Sequence, residues 1–238
     1  MKKELETRYS GAKTWLRLTI CIPIACWAAT SIWAQGRTED LAAGRSLERQ
    51  QALQVVRNAI DRGFPPNLRE QLRQVTDKHR AAVVPELLAA IDRERKRQSP
   101  GDEALDGMSD LVAYAGDEKA FIGLVALAAD DLARFGPAVA RCLDYAAERE
   151  NAFMLAYHAL GKGTEQTDSL IGEWAARAAR REGGMQLLAE AVVRWHPAVE
   201  FGTQVAADPM LAALDKAELK QLEAQTSEIR RQSVETPR

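Results

Sequence analysis

Glycine punctuates this chain at intervals that leave room for short helices and little else. Gly116, Gly136, Gly161, Gly183 and Gly202 are separated by 20, 25, 22 and 19 residues, so each interval holds one or two helices and their turns. The sequence between them has a helical period. In DEKAFIGLVALAADDLARFG (117–136), Phe121, Leu124, Val125, Ala128, Leu132 and Phe135 share one apolar face, and Glu118, Lys119, Asp130, Asp131 and Arg134 take the other. Such a face must be buried against something. Gly136 is expected to end this helix in a left-handed turn and Pro137 to open the next, which reads PAVARCLDYAAERENAFMLAYHALG up to Gly161. Aromatic residues make up only 6% of the chain and alanine is abundant. Small side chains with few β-branched residues suit close helix packing better than a sheet, so the expected class is all-α.

The first 34 residues stand apart. A net positive segment, MKKELETRYSGAKTWLR, precedes an uncharged apolar run from Leu18 to Ala34. This is the form of a secretory signal, with Ile32 and Ala34 at the third and first positions before a cut between Ala34 and Gln35. A retained membrane anchor through residues 18–34 is the competing reading, although the run has 17 residues and contains Pro23, near the lower limit for a span. Both readings export the rest, to the periplasm or to the periplasmic face of the inner membrane. The residues ahead of Cys21 and Cys26 match a lipid-attachment site poorly. Residues 35–232 are then expected to form one helical domain and 233–238 a disordered tail.

Removing the leader takes away five of 32 basic and two of 34 acidic residues, leaving 27 against 32 and a formal charge of −5. An acidic surface does not attract nucleic acid phosphates. Two of the three cysteines lie in the leader, so Cys142 remains alone and no disulfide framework accompanies export. A small buried apolar residue is its expected role.

Taken in order, Thr38 is the N-cap candidate of a helix that turns Leu41, Leu53, Val56 and Ile60 to one side and ends at Phe64, Pro65 and Pro66. Asn67 with Glu70 resembles a capping box for the next helix, with Leu68, Leu72, Val75 and His79 on one face. Pro85 is expected to start or kink a third. Its basic end, Arg93, Arg95, Lys96 and Arg97, complements the helix dipole. QSPGDEALDG (98–107) is the expected internal linker, followed by a brief helix over 108–115 closed by Gly116. A polar loop after Gly161 leads to SLIGEWAARAARR, stopped by Gly183 and Gly184. Next comes MQLLAEAVVRW, with Leu188, Ala191, Val192 and Trp195 inward. A further helix is expected from Asp208 and Pro209, and a last one capped by Asp215 and Glu218.

Pairs of glycine intervals measure 45 residues (116 to 161) and 47 (136 to 183), the period of helical-hairpin solenoids. LARFGPAVARCL and HALGKG each close an alanine-rich helix on an apolar residue and glycine, and RAAVVPELLAAID has an apolar-proline-apolar helix start. These words resemble HEAT repeats over roughly residues 80–200. The resemblance implies stacked antiparallel hairpins, each contacting only its neighbours, with a concave surface that binds a protein or peptide. An irregular helical bundle is the alternative architecture.

No catalytic constellation stands out, and no catalytic residue, metal ligand or cofactor is assigned. His196 and Glu200 have a spacing usable by a metal, but Pro197 lies between them and no third ligand is near. His79 and His158 read as packing histidines. Asp102, Asp106 and Asp110 form a four-residue ladder that lacks the alternating oxygens of a calcium loop. Gly161, Lys162, Gly163 and Thr164 lack the spacing and the preceding strand of a phosphate loop. Arg93–Arg97 and Arg177, Arg180 and Arg181 are the plausible anion sites, each interleaved with or near acidic residues. The function expected is that of an exported, non-catalytic interaction module or scaffold. A membrane-tethered assembly subunit, or a hydrolase or metal-dependent enzyme around His158 or His196, is the alternative.

Overall fold

A computed structural model describes residues 46–148, 152–196 and 208–235. The chain divides into two compact units, residues 1–51 and 52–238. Of the first, residues 46–51 are described and are helical. The Ala34–Gln35 junction, the apolar run 18–34, Thr38, Leu41, Glu200 and Gly202 lie outside the described residues.

The described residues of the second unit are helices joined by turns, with no strand among them. Helix α1 (residues 52–61 in this unit) ends where Gly63 and Phe64 donate their backbone N–H groups back to Ile60 and Ala59, at 3.0 and 2.8 Å. Both residues have positive φ, 73° and 60°. This double closure is the glycine-terminated helix end, and it turns Phe64 inward to 2% exposure. A short 3-10 turn, Pro66–Leu68, leads into α2 (Arg69–Arg95). Leu68, without a side-chain cap bond, takes the N-cap position, so the expected Asn67–Glu70 box does not form.

Next come α3 (Asp102–Ala115), α4 (Glu118–Asp130), α5 (Leu132–Ala147), α6 (Ala152–Ala159), α7 (Glu165–Ala179), α8 (Gly184–Trp195) and α9 (Lys216–Glu235). Only 96–101 separates α2 from α3, because Gly101 caps α3 and most of the supposed linker is its first two turns. Glycine at 116 takes φ 59° and stops α3 as expected. Asp117 caps α4 by accepting from the Ala120 N–H at 2.8 Å.

The glycine rule fails at 136. Helix α4 ends at Asp130, and Asp131 leaves the helical region (φ −147°, ψ 85°) and accepts the Arg134 N–H at 3.1 Å, which starts α5. Gly136 and Pro137 therefore sit inside α5. Helix α2 repeats the device: its break is at His79 (φ −130°, ψ 30°), six residues ahead of Pro85, just as Asp131 is six ahead of Pro137. Proline lacks an N–H for the residue four back and crowds that carbonyl, so the break falls in the preceding turns. Beyond the breaks the buried register coincides. Val83, Leu87, Ala90 and Ile91 take the places of Phe135, Val139, Cys142 and Leu143, and all eight are buried.

Helix α5 ends at Ala147, and α6 begins at Ala152, so PAVARCL…HALG is not one helix. Helix α7 starts four residues earlier than SLIG suggests, because Thr164 and Thr167 form a reciprocal capping box. Asp208 and Pro209 open turns rather than a helix. Asp215 and Glu218 cap α9 reciprocally, at 2.8 and 2.9 Å. Helix α9 continues to Glu235, three residues into the expected tail.

Helices α3, α5 and α7 contact one another in succession, as do α2, α4, α6 and α8, and α9 packs on α8. Adjacent helices also touch, and α4 reaches α7. One apolar cluster runs through all these elements, from Val56 to Leu222.

Candidate functional site

Most sequence candidates dissolve into the packing. The aspartate ladder lies on α3, and its members face arginines of α2 and α5 instead of a cation. Asp102 pairs with Arg134 at 2.6 Å, and Asp110 with Arg73 at 3.2 Å and Arg141 at 3.3 Å. The basic end of α2 is likewise spent: Arg93 on Glu86, Arg95 on Asp92 and Asp130, Lys96 on Asp92, and Arg97 on Glu94. Arg180 makes a two-pronged contact with Glu218, and Arg181 reaches Asp144 at 3.3 Å. Arg177 is exposed in the last turn of α7.

Cys142 is fully buried in α5, and burial pushes its thiol up to about 12, with the Asp117 charge adding to the effect. A thiol so disposed is not a nucleophile at neutral pH. His79 marks the break in α2, and His158 is exposed on α6, 3.8 Å from Glu118. Its ring packs on the surface, against Trp195, rather than in the core. The Gly161–Thr164 turn serves α7: Thr164 is its cap, and the Gly161 N–H donates to Asp168 at 3.2 Å.

One constellation was not foreseen. It gathers Tyr157 from α6, Trp195 and His196 from the end of α8, and Asp208 from the turn before α9. The Asp208 carboxylate is only 6% exposed and collects three groups. Its Oδ2 accepts the Tyr157 hydroxyl at 2.9 Å and lies 3.3 Å from His196 Nε2. Its Oδ1 accepts the Met210 N–H at 2.9 Å. A buried carboxylate needs such company, since each unsatisfied lone pair would carry a desolvation cost. Burial first, and the neighbouring Asp208 charge second, push the Tyr157 phenol far above its ordinary value, so it remains a donor.

Aromatic rings close over this junction. Tyr157 stacks on Trp195 with centroids 5.4 Å apart and meets His196 edge-on at 5.8 Å, and His158 meets Trp195 edge-on at 5.2 Å. Trp195, expected inside, remains 39% exposed. From below, Gly172 of α7 lets the turn approach: a Cβ there would fall on the Pro209 carbonyl oxygen. From α9, Arg230 donates to the His196 carbonyl at 3.0 Å.

Chemically this is a carboxylate–imidazole pair with a phenol. No Ser, Thr or Cys side chain bonds to His196 among the described residues, and no group of three or more His, Cys, Asp or Glu there could hold a metal. The arrangement fixes the 208–214 turns to α6 and α8. The local signal was the Asp208–Pro209 pair, which reads equally well as a helix start. The long-range partners are 51 and 12 residues away and have no sequence signature.

No family model, no curated protein and no solved structure matches the chain.

Proposed function

We propose that this chain is an exported, non-catalytic helical-repeat module of HEAT-like type that holds a protein or peptide partner. The observation that carries this reading is the succession of like contacts, α3 to α5 to α7 and α2 to α4 to α6 to α8. Helices that meet chiefly their next and next-but-one neighbours build outward along one axis. The exposed rows of each layer then offer an extended surface, and the titratable groups largely serve to join helices.

In-cell photo-crosslinking tests this reading. With the crosslinker placed on the full chain at Ala126 or Gln186 in one layer, or at Arg141 or Arg177 in the other, one partner band is expected from a single layer. Equal crosslinking from both layers, or none, counts against it. Export rests on the basic segment and the uncharged run before Gln35. N-terminal sequencing of the exported product reports Gln35 first if the leader is removed, and Met1 or Lys2 if it remains as an inner-membrane anchor. A stoichiometric metal in the purified protein, lost on His196→Ala, would replace the module with a metal-dependent enzyme.

A further inference from the structure

Helix α9 covers α8 with less apolar surface than α8 offers. Six of the twelve residues of α8 are buried, and Met185, Ala189, Val192 and His196 recur at spacings that set them on one face. Arg230 of α9 donates to the His196 carbonyl at 3.0 Å, which lays α9 along that face. Among the described side chains of its 20 residues, however, only Leu222 and Thr226 are buried, with Leu219 and Ile229 partly buried to either side. Thr226 spends its hydroxyl inside α9, on the Glu223 carbonyl at 2.9 Å. Gln225 Oε1 and Arg230 Nε are buried and meet no partner among the described residues. A buried polar atom left unpaired weakens the contact that buries it. The Arg180–Glu218 pair at the start of α9 lies at the surface, where such pairs add little.

We propose that α9 is a displaceable cap, and that the face of α8 beneath it takes an amphipathic helix of the partner. The proposal rests on the reading that the chain holds a partner, and it names that partner's chemistry. Helix α9 shows what fits. It carries leucines three residues apart at 219 and 222, an isoleucine at 229, and an arginine at 230 that reaches the last carbonyl of α8, where a cation also complements the helix dipole. A partner helix with apolar side chains in the places of Gln225 and Thr226 makes the same contacts without the stranded amide and buries more apolar surface. It needs that advantage, because α9 is tethered and a short tether supplies an effective concentration of roughly millimolar. The cap therefore keeps the face closed against poorly matched helices and yields to a better one.

The test titrates the full chain with two synthetic peptides spanning residues 213–235, followed through backbone amide resonances. One peptide has the native sequence, and the other carries Gln225→Leu and Thr226→Val. The altered peptide is expected to bind about tenfold more tightly than the native one, shifting the amides of α8 and moving those of the chain's own α9 to unfolded positions. Leu222→Ala in the chain weakens the tethered helix alone, so it should tighten both peptides by about tenfold or more, with the α3–α5 resonances unmoved. Leu219→Ala, at a partly buried position, should act in the same direction by less. No binding of either peptide, binding that leaves α9 in place, or equal affinity for the wild-type chain and both leucine variants would overturn the proposal. The titration reads α8 and α9 alone, so its failure leaves a partner on the exposed rows of the layers, and a failure of the crosslinking leaves the capped face standing.

Discussion

The α3–α5 region and the junction of α6, α8 and the 208–214 turns close by different means. Between α3 and α5, Leu105, Val112, Phe121, Leu124, Phe135 and Leu143 are buried without a polar atom among their side chains, and the ion pairs lie outside. At the junction, a buried carboxylate takes the phenol and a backbone N–H with an imidazole beside it, under a half-open aromatic lid. Apolar burial is non-directional, so the first region tolerates movement in small steps. A buried polar cluster is directional, and losing one member strands the others.

The largest expected effect falls on the apolar side. Phe121→Ala removes a fully buried ring from α4 and should cost about 4 kcal/mol in urea unfolding. Asp208→Ala should cost about 3 kcal/mol, because the Tyr157 hydroxyl and Met210 N–H lose their acceptor together. It should also change Trp195 fluorescence, which Phe121→Ala in the native state should not. Equal fluorescence changes from both would erase the distinction between the regions. Gly172→Ala tests the approach from α7, since the new methyl meets the Pro209 carbonyl. A loss of about 2 kcal/mol with the Trp195 change is expected, and a neutral result would mean that the turn is not seated there.

The smallest effect is electrostatic. The Arg180 guanidinium, and then the Asp215 backbone N–H, hold the Glu218 carboxyl below its ordinary 4.5. A depressed carboxyl contributes stability that is present above the unfolded value and is lost as pH falls through the folded one. Glu218→Gln should therefore lower the melting temperature slightly at neutral pH and flatten its decline below about pH 4.5, with wild type and variant converging in acid.

The all-α class was legible because the apolar residues recur at helical period, and Gly116 and Gly161 were legible as stops, each holding positive φ, whereas Gly183, also at positive φ, is the N-cap of α8 and α7 already ends at Ala179. Gly136 carried the same letter with a different cause. It keeps helical geometry inside α5 and is buried, with Leu132 and Leu170 about a van der Waals contact from where its Cβ would lie. The true break at Asp131 was readable only as a cap three residues before Arg134, a short signal that the neighbouring glycine and proline masked. Asp215 with Glu218 was read correctly because both halves of that cap are local. The Tyr157–Asp208–His196 junction was out of reach, since tertiary packing alone brings its members together.

Native-state amide hydrogen exchange on the full chain tests the stacked-hairpin account most directly. Stacked units coupled only to neighbours open from an end, so α9 and α8 should exchange through an opening smaller than global unfolding, while α3–α5 exchange only with it. A single opening free energy shared by α3, α5, α8 and α9 would contradict the stack and favour an irregular bundle that unfolds as one body.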